Sequence, residues 1–331
     1  MTPGTISIIV LTFNRKRMLR DCLESLLAQT YPPDKVEIIV SDDGSADGTR
    51  EMVEQLQAGH TRLKYAPQAH RGISAARNNG IRMATGDVVA IVADDYILDP
   101  AYAWTTMQFF HDWPDAHIVR GKIVAAGRDV GSRISHFYFD VSVRRRLEPS
   151  PPAPVHDWRG RLARAWRRPP PFEETITTRH QLEAAGAAAF RREVFAAVGM
   201  FDETLQRAED TDMTMRLRQL GIDVYYNPFQ QIRHQYSPWM TDTIAKCYLT
   251  GVNRSRLYRK HEVLRRPGGA VRTLAAHEAQ AVLTALWRVR QAESLTKLLC
   301  YLPFMLLFEA SNGLGFFLGF VSDRLRRRRP G

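Results

Sequence analysis

Gly86-Asp87-Val88-Val89-Ala90-Ile91-Val92-Ala93-Asp94-Asp95 is the stretch whose reading decides the fold. A turn leads into an apolar run short enough for a buried strand, and the run stops at two adjacent carboxylates. A strand that is apolar on both faces belongs inside a parallel sheet. Ligands of open α/β sheets gather beyond the carboxyl ends of such strands. Paired acids there suit a hard cation, since Mg²⁺ is commonly held by one or two carboxylates plus substrate phosphates. On this stretch alone, Asp94 and Asp95 read equally well as turn residues ahead of Pro100.

On the N-terminal side, Ile6–Val10 reads as another buried strand. Thr12-Phe13-Asn14-Arg15 follows it and leads into a helix with the stripe Met18, Leu19, Cys22, Leu23, Leu26 and Leu27. Val36–Val40 is a second strand, closed by Ser41-Asp42-Asp43-Gly44-Ser45. Met52, Val53 and Leu56 mark a helix, and Leu63–Tyr65 a short strand. Arg71-Gly72-Ile73-Ser74 opens a further helix, with Ser74 expected as its N-cap. Strands alternating with helices indicate βαβ units and a parallel sheet. Taken singly, these polar residues suit turns and caps: an Asx turn for Asp42 and Asp43, a solvated side chain for Arg77.

Taken in order, they carry a resemblance. Ile8–Arg15, Val36–Gly48 with its Asp-Asp-Gly-Ser, Arg71–Asn78 and Gly86–Pro100 resemble the family 2 glycosyltransferases of the GT-A fold. The resemblance implies a Rossmann-like, mainly parallel central sheet flanked by helices, and a nucleotide-diphosphate-sugar donor. It implies that Thr12, Asn14 and Asp43, with Asp42 close by, lie against base and ribose. Arg77 would lie near the donor phosphates, and Asp94 and Asp95 would be the metal-binding acids for Mn²⁺ or Mg²⁺. Leu11 stands where the family often has proline. Ala93 stands where the first acid of an Asp-x-Asp motif is common. The metal is therefore expected on Asp95, the last acid of the motif, with Asp94 as a donor contact.

Downstream, Pro100–Trp113 reads as a helix and Ile118–Val124 as a strand, and after Gly131 the pattern loosens. Trp158, Leu162, Ala165 and Trp166 recur at helical spacing among arginines, as in a segment lying at a membrane interface. A mobile surface insertion reads almost as well. Glu209-Asp210-Thr211-Asp212 heads a helix, where acids are favoured by the dipole alone. The resemblance instead makes Asp210 the general base, with Glu209 and Asp212 on the acceptor side. Inverting sugar transfer needs such a base within hydrogen-bond reach of the acceptor hydroxyl. Ile222–Tyr226 reads as a strand ended by Asn227-Pro228, and the resemblance makes His234 a further metal-site residue. The Gln-x-x-Arg-Trp signature of processive synthases is absent at Gln235–Trp239, which argues for single-sugar addition.

The expected organisation is a catalytic domain over residues 1–240 and a helical extension over 241–331. Within the first, 1–125 is the nucleotide-sugar half, 126–180 a variable insertion and 181–240 the acceptor and base half. Leu298–Val321 is the most apolar run of the 331-residue chain, yet Glu309, Asn312 and Pro303 interrupt it. Gly315 and Gly319 suit close helix approach, within the chain or in a homo-oligomer. The formal charge of +11 is concentrated in arginine runs such as Arg324–Arg329, which points to an anionic membrane surface. No nucleic-acid module accompanies these runs, so nucleic acid is not an expected partner. Three dispersed cysteines offer neither a disulfide framework nor zinc spacing, and Ile6–Leu11 is too short for a secretory signal. The expectation is an enzyme held peripherally or monotopically on the cytoplasmic side of a bacterial-type membrane, acting on a lipid-linked or surface-glycan acceptor. The alternative is a degenerate relative that binds nucleotide sugar without transfer, motivated by Ala93.

Overall fold

Continuous apolar runs become the centre of the sheet, because only strands covered on both faces can be apolar throughout. The computed structural model describes residues 4–147, 177–178, 186–261 and 295–326. Two compact units divide the chain: Met1–Gly127 with Glu173–Tyr236, and Arg128–Phe172 with Ser237–Gly331.

In the first unit, β1 (Ile6–Thr12) is buried at every residue. It pairs in parallel with β2 (Val36–Asp42) on one side and β4 (Val88–Ala93) on the other. β3 (Leu63–Pro67) extends the parallel set beyond β2. Helices α1 (Lys16–Leu27), α2 (Thr49–Gln57) and α3 (Ile73–Met83) follow β1, β2 and β3 in turn. Leu19, Cys22, Leu23 and Leu26 form the buried stripe of α1. Packed with Ile8, Val10, Ile38, Val40 and Val92 they make the main core, where each fully buried aliphatic side chain contributes roughly 1.5–3 kcal/mol.

Beyond β4 the sheet turns mixed. β8 (Ala188–Arg191) runs antiparallel to both β4 and β6 (Ile118–Ala125). β9 (Val224–His234) lies parallel to β6, and β5 (Tyr96–Leu98) lies antiparallel to its C-terminal end. β7 (Thr177–Thr178) pairs with the N-terminal part of β9. The order among the described strands is β3-β2-β1-β4-β8-β6-β9-β5. The strand order reverses between β1 and β4, which makes their carboxyl ends a topological switch point, where α/β sheets open a ligand crevice. Helices α4 (Tyr102–Asp112), α6 (Val194–Val198) and α7 (Glu209–Gln219) complete the unit.

Two local expectations are corrected here. Asn227-Pro228 does not end β9. The register with β6 jumps between Gly121 and Lys122, whose partners are Asn227 and Gln231. The intervening residues bulge, which is how a strand accommodates a proline that cannot donate to the ladder. Ser74 is not the N-cap of α3. Gly72 holds that position with φ 96°, and the buried Ser74 hydroxyl donates to the Leu205 carbonyl at 2.6 Å.

The second unit contains α5 (Val130–Leu147), α8 (Met240–Lys260) and α9 (Leu295–Arg326). Ile134 and Tyr138 of α5 pack with Cys247, Met305 and Phe308. Helices α8 and α9 run parallel: Ser311 donates to the Ile244 carbonyl, and Arg259 to that of Gly319. A Cβ at Gly251 would lie 2.0 Å from the Asn312 carbonyl oxygen, and one at Gly315 2.1 Å from that of Tyr248. These glycines therefore let α8 and α9 touch backbone to backbone. Leu306, Leu307, Leu314, Phe317 and Leu318 remain exposed. Leu299–Ser322, 24 residues of mean hydropathy 1.6, is long and apolar enough to cross a membrane by length and composition. The amphipathic segment at Trp158–Trp166 lies outside the described residues.

Candidate active site

Strand register builds the acidic end of the site. Leu11 of β1 stands opposite Ala93 of β4, so the residues after each overhang together. Thr12 Oγ1 donates to Asp94 Oδ2 at 2.9 Å. Arg15 Nη1 donates to Asp94 Oδ1 at 3.2 Å and to Asp95 Oδ2 at 3.0 Å. On the other flank, Tyr96 of β5 pairs with His234 at the end of β9. That pairing sets His234 Nε2 3.3 Å from Asp95 Oδ2. Tyr96 and Tyr236 fix the imidazole, with ring centroids 4.9 and 3.8 Å from it.

Burial pushes the Asp94 carboxyl up to about 6; the Arg15 charge opposes the rise, the Asp95 charge adds to it, and the Thr12 hydrogen bond lowers it. The folded value lies above the unfolded one, so the folded chain binds the extra proton. The associated stability is fully present below the unfolded value of roughly 4 and is lost as pH rises through the folded value. Asp94→Asn should therefore melt above the wild type at about pH 7 and beyond, with the two melting temperatures converging near pH 4. A difference that is constant across that range would show that Asp94 ionisation does not set it.

The loops that follow β1 and β2 form a tightly bonded system. Asp42 accepts from Ser45 N at 2.9 Å and from the Tyr65 hydroxyl. Asp43 accepts from Arg71 N and Gly72 N, both at 2.9 Å, and from Gln68 Nε2 at 2.7 Å. Both carboxylates are buried. They order the loops that frame the carboxyl ends of β1 and β2. Asn14, with φ 52°, bonds Ala46 N through its Oδ1 at 2.8 Å, which ties the two loops together. Phe13 is 40% exposed and stacks on His70 at a centroid distance of 4.2 Å.

The acids of α7 separate by burial. Glu209 is buried and paired with Arg77, whose side chain is itself only 6% exposed. Arg77, expected near the donor phosphates, thus lies under the first turn of α7, with Phe201 against its guanidinium at 4.9 Å. Asp212 is fully buried and held by Arg216 Nε at 2.9 Å. Asp210 is half-buried, with Oδ1 accepting from Thr211 N at 2.7 Å. Burial raises the Tyr96 hydroxyl, Asp95 and Asp210 raise it further, and Arg120 and Arg77 oppose them. That hydroxyl donates to the Gly186 carbonyl at 2.7 Å.

Among the described residues, no three His, Cys, Asp or Glu side chains enclose a metal ion by themselves. The donor set still fits a divalent cation, because Mg²⁺-type sites are completed by water and substrate phosphate. A cationic group already lies between the two carboxylates, namely the Arg15 guanidinium.

The sequence singles out neither Arg15 nor Tyr96. The signal of Arg15 is positional: it lies three residues past Thr12, the last residue of the strand that neighbours β4. Tyr96 was missed because β5 is only three residues long and carries no periodicity.

Comparison with known proteins bears on this arrangement. The chain is 32% identical over 142 residues to the putative glycosyltransferase EpsH of Bacillus subtilis, a match covering 42% of this chain and 41% of EpsH. The chain thus spans under half the length of that relative. It is 26% identical over 249 residues to the glucosyl-dolichyl phosphate glucuronosyltransferase of Haloferax volcanii, covering 72% of this chain and 71% of the relative. In fold it is similar to the mannosyltransferase PcManGT from Pyrobaculum calidifontis, solved in complex with GDP-Man and Mn²⁺. The TM-score is 0.60 at 20% identity, over 99% of this chain and 89% of that one. The likeness establishes the GT-A fold expected from the motifs. The family model for glycosyl transferase family 2 matches residues 7–199, more than half of the chain, and the protein belongs to that family.

Proposed function

We propose that the protein is an inverting, metal-dependent glycosyltransferase. It moves a sugar from a nucleotide-diphosphate-sugar to a hydroxyl of a lipid-linked or cell-surface glycan acceptor. The observation that carries the reading is the acidic end of β4: Asp94 and Asp95 stand together just past that strand, Thr12 donates to Asp94 at 2.9 Å, and His234 Nε2 lies 3.3 Å from Asp95 Oδ2.

In this reading Thr12, Asn14, Asp42 and Asp43 shape the nucleoside end, and Asp94 contacts the donor. Asp95 and His234 would hold Mn²⁺ or Mg²⁺, which would supply positive charge for the leaving diphosphate. Asp210 takes the proton of the acceptor hydroxyl as its oxygen bonds the anomeric carbon. The carbon–oxygen bond to the diphosphate breaks on the opposite face, and its electron pair leaves with the phosphate. Arg77 and Arg216 position the base indirectly by fixing Glu209 and Asp212 in the same turn.

The second unit suits attachment to the cytoplasmic face of a membrane. The exposed face of α9 presents Leu306, Leu307, Leu314, Phe317 and Leu318, a stripe that a lipid phase would cover. The arginine-rich end of the chain suits anionic headgroups. Because Gly251 and Gly315 are engaged within the helix pair, lipid is favoured over a second copy as the partner.

The reading is tested with a panel of nucleotide sugars and glycan acceptors in Mn²⁺, measuring released nucleoside diphosphate. Release with at least one donor is expected. Its absence across the panel removes the transferase assignment. Donor binding without release would favour the degenerate reading, for which the specific observation is Ala93 in place of an acid.

A further inference from the structure

Arg15 stands where the proposed metal would be needed. Its Nη1 bridges Asp94 Oδ1 at 3.2 Å and Asp95 Oδ2 at 3.0 Å, and the same Oδ2 faces His234 Nε2 at 3.3 Å. The two carboxylate side chains are only 4% and 9% exposed, while that of Arg15 is 41% exposed. Arg15 is the non-helical residue ahead of α1, with φ −138° and ψ 42°. Ion pairs, rather than packing into the core, hold its side chain in place, so it can turn away without disturbing the sheet. A dication and a guanidinium cannot share one position between the same carboxylates, because their mutual repulsion in a poorly solvated site is strong. The guanidinium fork also matches phosphate oxygens as well as it matches a carboxylate.

We propose that Arg15 is an exchangeable counter-cation: it neutralises Asp94 and Asp95 in the donor-free protein and transfers to the donor diphosphate when a divalent metal takes its place. The inference rests on the metal assignment made above and adds a binding residue and a binding order to it. Metal alone must displace Arg15 into water. Metal arriving with a nucleoside diphosphate gives Arg15 a new anionic partner. The two ligands therefore bind in mutual dependence, and by linkage each tightens the other by the same factor.

The test is Mn²⁺ binding to the full-length protein, followed by electron paramagnetic resonance with and without saturating UDP or GDP. Wild type, Arg15→Gln and Arg15→Lys are compared, and thermal melts confirm that each is folded. In the absence of nucleotide, Arg15→Gln should bind Mn²⁺ about tenfold more tightly than wild type. Arg15→Lys, which keeps a charge without the fork, should lie between them. The factor by which nucleotide tightens Mn²⁺ should be large in wild type and much reduced in Arg15→Gln. Equal or weaker Mn²⁺ affinity in Arg15→Gln overturns the exchange while leaving the metal assignment intact. Failure of all three proteins to bind Mn²⁺, with or without nucleotide, removes the metal assignment and the exchange together.

Discussion

Asp210→Asn should lower kcat by a factor of about 10²–10⁴ while leaving nucleotide-sugar binding unchanged. The substitution preserves size and an oxygen that can accept from Thr211 N, while it removes the carboxylate that takes the proton. The expectation falls on Asp210 for a physical reason. Glu209 is committed to a buried pair with Arg77, and Asp212 to one with Arg216. Both are buried, and a carboxylate without solvent contact cannot meet an acceptor. Among these acids of the first turn, Asp210 is the half-buried one. Single-turnover rates and donor titration separate chemistry from binding. An Asp210→Asn enzyme with wild-type turnover would move the base to another group.

Arg77→Leu should destabilise the first unit by about 3–5 kcal/mol, because it strands the Glu209 carboxylate without a counter-charge. Both side chains of the pair are almost fully buried, at 6% and 7% exposure, so water cannot replace the lost partner. The paired replacement Arg77→Leu with Glu209→Leu should regain most of that stability, since an apolar pair of similar volume removes the buried charge altogether. Urea unfolding of the two variants checks this, and a single-variant loss below about 1 kcal/mol would place the pair in the weak, solvent-screened class. The prediction separates a scaffold role from donor contact. A phosphate ligand would affect donor affinity, whereas a pillar beneath α7 would affect folding first.

The legible parts of this fold were those governed by continuous apolar runs. Ile6–Val10, Val36–Val40 and Val88–Val92 announce themselves because a central parallel strand needs apolar residues on both faces. β9 was read only to Tyr226, because Pro228 signals an end where the strand bulges and continues. The helix over Val130–Leu147 was not read at all. Its apolar residues face α8 and α9 from far along the chain, and its sequence shows no strong stripe. The site was legible as residue types in order. What each residue touches was not. Arg77 by itself reads as a solvated side chain, and the resemblance places it near the donor phosphates; neither shows its buried partner Glu209, 132 residues away in sequence. Arg15 acquires its carboxylate partners only through the β1–β4 register.

The glycine-lined contact between α8 and α9 has a consequence for the medium in which this protein works. Helices held together mainly by the exclusion of water separate more readily once apolar solvent surrounds them, because lipid tails compete for the same surfaces. At Gly251 and Gly315 the backbones themselves meet, and such contact depends on shape rather than on the solvent outside. The helix pair is therefore indifferent to whether Leu306, Leu314 and Phe317 face water or hydrocarbon. Its outer surface can change phase while its inner seam stays shut.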